Sequence, residues 1–195
     1  MTDFESRLAR FDDRLTMRHE RVYRHPVALV WEAITSSDHL NRWLLRRVEV
    51  DPREGGRCSF TWGGDVEQVG TVREVDPPHL IVYDLVTSSL RFELVPLEGG
   101  TRLTLLHQFV PGAHVEPVDR LGGDQPAGPD SPWRPDFAQG FHQMLDVLGV
   151  LLDGGLEAEE DLLGYGTRLG HDAPNVVEAR VAAYRNLIAE HCPPA

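Results

Sequence analysis

At 195 residues the chain is long enough for one domain with a hydrophobic core, and its 41% hydrophobic and 26% charged residues are ordinary globular composition. A formal net charge of −12 disfavours a nucleic-acid partner, because phosphate binding needs a basic surface. All 19 basic residues are arginine, which excludes Schiff-base lysine chemistry and a phosphate-loop lysine.

Residues 1–14 carry Phe4, Leu8, Phe11 and Leu15 near helical spacing, which predicts a short N-terminal helix. Met17 to His25 alternates as a first strand. Pro26 suits a helix start, where its missing N–H costs nothing. Val27, Val30, Trp31 and Ile34 then form one apolar face. Ser36 or Ser37 is placed to cap a second short helix, with Asp38 near its positive end and Leu40, Trp43 and Leu44 on its buried side. Val48 to Asp51 is a brief strand, and Glu54-Gly55-Gly56 turns the chain. Cys58, Phe60 and Trp62 alternate with polar residues, the period of a half-buried strand. Gly63-Gly64-Asp65 predicts a hairpin into Val66–Val75, which Asp76-Pro77-Pro78 stops. Leu80–Val86 is a nearly continuous apolar strand. Leu90, Phe92 and Leu94 alternate in the next, and Leu103, Leu105, His107 and Phe109 share one face of a seventh. Short turns between successive strands predict an antiparallel meander.

Residues 110–135 are rich in Pro, Gly and Asp and read as a long loop, a lid or disorder. From Phe137 to Leu152 runs the strongest helical pattern, with Phe137, Phe141, Met144, Leu145, Leu148, Leu151 and Leu152 in one stripe and Gly154-Gly155 at its end. An acidic helix over Leu156–Leu163 follows. A last amphipathic helix passes through Val177, Val181, Tyr184, Leu187 and Ile188. The expected assembly is an α+β domain over 1–155 with a helical extension over 156–195. About seven antiparallel strands curve around the long C-terminal helix, and the pair of short helices after the first strand plugs one end. Such a curved sheet is not filled along its whole length by one helix, so a cavity is expected.

Cys58 and Cys192 are far apart and form no metal pattern, which fits a reduced, cytoplasmic setting. The acidic start, Met1-Thr2-Asp3-Phe4-Glu5, has no apolar signal run. No stretch approaches the roughly 20 apolar residues that span a bilayer, so no membrane insertion is expected.

Several segments in order carry a family resemblance. They are Val30-Trp31-Glu32-Ala33-Ile34-Thr35 with Leu40-Asn41-Arg42-Trp43, and Gly55-Gly56-Arg57-Cys58-Ser59-Phe60. Gly70-Thr71-Val72, Leu80-Ile81-Val82-Tyr83, Phe92-Glu93-Leu94 and Gly100-Thr101-Arg102-Leu103-Thr104-Leu105-Leu106-His107 complete the series. Over about residues 17–155 the chain resembles the START-like (SRPBCC, birch-pollen-allergen-like) superfamily, and within it the homologues of the activator of heat-shock-protein-90 ATPase. Gly140-Phe141 stands where that family usually shows Gly-Trp. The resemblance implies a helix-grip fold with a ligand cavity between sheet and long helix. It implies binding of lipid-like or polyketide-like apolar molecules in most members, with enzymes and stress-response partners a minority. It carries over no catalytic motif, and no cofactor is implied.

The expected cavity walls are Phe60, Trp62, Tyr83, Phe92 and Leu105 on the sheet, and Phe141, Met144 and Leu148 on the helix. His107, and Tyr83 with it, would orient the polar end of a ligand. Against this stands plain core packing of the same aromatics, and a His107 satisfied by a neighbour. His142 lies beside the apolar stripe, where it either faces the cavity or is exposed. His19, His25 and His114 show no metal-ligand spacing, so no metal is expected. Asp84 and Glu93 with His107 are candidate acid and base groups for a cyclase, dehydratase or hydrolase, or else face solvent. Cys58 reads as a small buried hydrophobe. The stripe of the last helix either packs on its own domain, supports a homodimer or meets a partner.

Overall fold

The computed structural model describes residues 6–11, 14–45, 47–62, 66–86, 88–109, 135–156, 178–184 and 186. In chain order the elements are β1 (Ser6–Phe11), β2 (Arg14–Tyr23), α1 (Val27–Thr35), α2 (Ser37–Trp43), β3 (Val48–Val50), β4 (Arg57–Trp62), β5 (Val66–Asp76), β6 (Leu80–Leu85), β7 (Ser88–Leu97), β8 (Gly100–Phe109) and α3 (Pro135–Leu152). A further helical segment covers 178–184. The strands form a single antiparallel sheet ordered β1-β2-β8-β7-β6-β5-β4-β3.

The expected N-terminal helix is a strand. β1 pairs with β2 from Ser6↔His19 to Phe11↔Arg14, adding an eighth strand to the seven read from the pattern. The spacing of Leu8, Phe11 and Leu15 is compatible with a helix, but a free β2 edge offers a row of backbone donors and acceptors. Pairing with that edge outweighs weak local periodicity. The seven remaining strands follow the expected order, with α1 and α2 inserted after β2.

The helix pair is locked by polar tips of aromatic side chains. A helix leaves its last carbonyls without partners. Those of α1 are taken one by one: Ser36 N–H donates to Glu32 O, Trp43 Nε1–H to Ala33 O at 2.9 Å, and Tyr83 O–H to Ile34 O at 2.8 Å. Ser36 occupies the N-cap position of α2 but makes no side-chain cap bond, and Ser37 Oγ instead accepts Val50 N–H at 3.0 Å. The serine hydroxyls therefore do not cap α2 as expected; Ser37 ties it to β3.

Beneath the pair, Phe60, Tyr83 and Phe92 meet edge to face, at 5.3 Å for Phe60–Tyr83 and 6.1 Å for Tyr83–Phe92, and Trp43 closes on Phe92 at 6.4 Å. α3 crosses the same face of the sheet. Tyr23 O–H donates to Leu145 O at 2.8 Å, and the Tyr23 ring lies 3.4 Å from where a Cβ on Gly149 would stand, so the strand and helix approach closely there. Gly154, with φ +72°, ends α3 as Gly155 N–H returns to Val150 O and Gly154 N–H to Leu151 O.

Gly70, in β5 opposite Leu85, has no room for a side chain. A Cβ there would lie 1.9 Å from the Asp84 carbonyl oxygen. Gly70→Ala must therefore push β5 off β6, and we expect a loss of about 1–3 kcal/mol in urea unfolding. An unchanged midpoint would show that the strands part freely.

Candidate functional site

Alternation along two neighbouring strands builds the site. The odd-numbered residues of β2, Met17, His19, Arg21 and Tyr23, share the face that meets α3, and the inward set of β8 is Leu103, Leu105 and His107. The register pairs Met17 with His107 and His19 with Leu105, so the two histidines are diagonal neighbours on one face. From α3, Phe141 comes within 4.7 Å of the His107 ring and 6.2 Å of His19. His142 follows Phe141 on the adjoining side of the helix. All three imidazoles are buried, at 0–2% exposure.

The segment 178–184 covers the flank of α3. Its Tyr184 is fully buried, 6.1 Å from the His19 ring, with its hydroxyl 3.3 Å from His142 Nδ1. His142 Nε2 lies 3.6 Å from Asp146 Oδ2, one helical turn on. His142 thus stands between the Asp146 carboxylate, which is beyond hydrogen-bond distance of Nε2, and the Tyr184 hydroxyl, which is within reach of Nδ1. Asp146 also meets Arg21 at 3.4 Å and Arg180 at 3.5 Å.

Burial removes hydration from a charged imidazole and so favours the neutral form. It pushes His107 down to about 3. His19 is held well below its usual value by burial first, then by the positive fields of Arg21, His142 and His107. At neutral pH His19 and His107 are therefore neutral imidazoles, able both to donate and to accept. Among the described residues no group of three or more His, Cys, Asp or Glu side chains could hold a metal ion.

The expected wall residues separate into two groups. His107, Leu105 and Phe141 lie in the histidine cluster, and Met144 and Leu148 continue the buried face of α3. Phe60, Tyr83 and Phe92 belong to the aromatic floor under α1 and α2, and the Tyr83 hydroxyl is engaged with Ile34. The side chain of Trp62 lies outside the described ones, as do Phe137, Trp133, the 110–134 loop, the acidic helix expected at Leu156–Leu163 and the residues flanking 178–184.

Asp84 and Glu93 do not join His107. They lie on the outer face, paired with Arg73 at 3.1 Å and Arg91 at 2.6 Å, because each follows an inward residue by one position. Cys58 is buried and unbridged, and burial, with Asp84 second, raises its thiol to about 11. A separate surface cleft of about 280 Å³ lies at the far end of the sheet, bordered by Ser37, Glu49, Asp51 and Arg57.

Sequence reading singled out His107 but left His19 among unplaced histidines and gave Tyr184 only to an apolar stripe. The signal for His19 was available, since it alternates with Met17 and Tyr23. Nothing in the sequence placed Tyr184 beside it, because 165 residues of chain separate the two positions.

A curved antiparallel sheet gripping one long helix, with two short helices inserted after its second strand and ionisable groups buried between sheet and helix, defines a helix-grip protein of the START-like class. The pattern of the family described as "Activator of Hsp90 ATPase homolog 1-like protein" matches residues 24–153, and the chain belongs to that family. No curated protein matches it. Among solved structures it is similar to CalU16 from Micromonospora echinospora, at 18% identity and a TM-score of 0.63, over 94% of this chain and 95% of that one. EF2215 from Enterococcus faecalis, a conserved protein of unknown function, is similar at 14% identity and TM-score 0.63, over 94% and 92%. The Aha1 dimer from Colwellia psychrerythraea matches at 14% identity and TM-score 0.56, over 72% and 97%. At these identities the likeness concerns the fold. Among the described residues no helix is long and apolar enough to cross a membrane.

Proposed function

We propose that the chain binds a small, largely apolar molecule between the sheet and α3, next to the histidine cluster. The observation that carries this reading is the placing of three buried imidazoles, His19 and His107 on the gripped face of the sheet and His142 on α3, beside Met17, Leu105 and Phe141. Hydrocarbon walls with a few convergent polar groups are what a small-molecule site needs. Burial of the ligand's apolar surface would supply the affinity, at about 25 cal/mol per Å² before ordering costs. His107 would orient its polar end. The floor of Phe60, Tyr83, Phe92 and Trp43 would close the opposite end.

The placing of His142 between Asp146 and Tyr184 favours a second reading, a cavity enzyme of the cyclase, dehydratase or hydrolase type. There an imidazole with a carboxylate nearby would move a proton to or from a bound substrate. An interaction protein acting through 156–195 receives less support, since Tyr184 is buried against α3 and Arg180 pairs with Asp146 there.

Native mass spectrometry of the purified full chain, followed by organic extraction, tests both readings. We expect one apolar passenger per chain, and decanol binding to protein stripped of it. A passenger recovered chemically altered after incubation would favour the enzyme. A chain that carries nothing and binds no decanol up to its solubility limit would overturn the binding role.

A further inference from the structure

Among the described residues, charge and hydrogen bonding do not balance at the rim of the histidine cluster. Asp146 is one carboxylate between two permanent cations, Arg21 Nε on Oδ1 at 3.4 Å and Arg180 Nη2 on Oδ2 at 3.5 Å. His142 Nε2 shares Oδ2 with Arg180. Among the described residues the other polar groups near this point are His19 from β2 and Tyr184 from 178–184, neither of them acidic like Asp146. Arg180 Nη1 is buried, and among the described residues no acceptor reaches it. A guanidinium N–H taken from water without an acceptor is costly, and an uncompensated buried charge more so. The rim is not sealed: Arg21, Asp146 and Arg180 keep 14%, 19% and 18% of their side-chain surface exposed. It thus combines a cationic excess, a vacant donor and partial access to water, beside an apolar interior and in a chain of net charge −12.

We infer that this rim takes the anionic head of an apolar carboxylic acid, whose carboxylate accepts from Arg180 Nη1 and balances the second guanidinium while its tail passes under α3 along Phe141. This rests on the binding role proposed above and narrows it from apolar molecules in general to acids. A planar guanidinium suits a carboxylate, since its fork presents parallel N–H groups to two oxygens. Arg180 lies outside residues 24–153, so the preference for an acid belongs to this chain rather than to the family span.

The test compares ligands of one chain length on the full protein: decanoate, decanol and decyltrimethylammonium, by calorimetry at pH 7.5. Decanoate is expected to bind at least ten-fold tighter than decanol, with the ammonium weakest. In Arg180→Gln the acid should fall to within about two-fold of the alcohol while decanol affinity is unchanged, which also shows that the site still forms. Equal affinity of wild-type protein for acid and alcohol, or tighter binding of the cation, overturns the inference and leaves the apolar site standing. Binding of none of the three overturns the site itself. A preference for decanoate that survives Arg180→Gln intact removes Arg180 from the role. The wild-type comparison of acid with alcohol decides the central point even if the variant does not fold.

Discussion

Trp43→Ala should cost the fold about 3–5 kcal/mol, the range for removing a buried aromatic side chain from a core. Trp43 has no exposed surface, and its ring closes the aromatic floor against Phe92. The variant also strips the Ala33 carbonyl of the indole N–H that caps it at the end of α1, in a buried place. Native domains hold only about 5–15 kcal/mol in total, so the loss is a large share of the whole. Trp43→Phe separates the two effects, because it keeps most of the buried ring and loses the N–H. We expect Trp43→Phe to cost about 1–3 kcal/mol, the penalty of an unsatisfied buried acceptor plus a smaller ring. Urea unfolding of both variants measures this. Equal midpoints for Trp43→Phe and wild type would mean that the indole bond contributes nothing.

Acid should destabilise the chain through its histidines, and the sign follows from the direction of the shifts. The unfolded chain takes up a proton at each histidine as the pH falls through about 6.5. The folded chain resists doing so at His107 until about 3, because burial disfavours the charged ring, and His19 is lowered in the same sense. Between those values the unfolded state binds more protons, so stability is greatest above about 6.5 and declines as the pH drops. For His107 alone the penalty at pH 5 is about 2 kcal/mol, and His19 adds to it. We expect the unfolding free energy to fall by at least about 2 kcal/mol from pH 7 to pH 5. His107→Gln should remove about 2 kcal/mol of that fall and leave the part due to His19. An identical slope in the variant would assign the acid sensitivity to the carboxylates instead.

Most of the fold was legible because its signals are local. Alternation in Cys58–Trp62 and Leu103–His107, the paired glycines after α3, and the apolar faces of α1 and α2 each declare an element within a dozen residues. The N-terminal strand was not legible, since what makes Ser6–Phe11 extended is the free edge of β2 rather than its own spacing. The serine hydroxyls misled for a similar reason: Ser37 found a better partner in Val50, an acceptor-seeking N–H from a strand the helix alone does not predict. Half of the site was readable in the same way. His107 sits in a clear alternation, and Met144 and Leu148 in a clear stripe. The rest is long-range. Asp146 looks like one more polar residue on the outside of an amphipathic helix until Arg21 and Arg180 arrive from opposite ends of the chain. Tyr83 reads as a pocket wall, and only the neighbouring α1 carbonyl shows that its hydroxyl is already committed to holding the helix pair.

Tyr184 lies far beyond residue 153, where the family span ends, yet it is buried against His19 near the other terminus. The unit that folds is therefore larger than the unit that is inherited in common. Trimming the gene to the shared span would uncover His142 and release one of the guanidinium groups holding Asp146, turning a quiet interior into a wet, sticky face. Exchanging tails between relatives, by contrast, would leave the sheet and α3 intact and recast only this wall. The tail is thus where a change of sequence can alter the surroundings of the buried histidines without touching the shared frame.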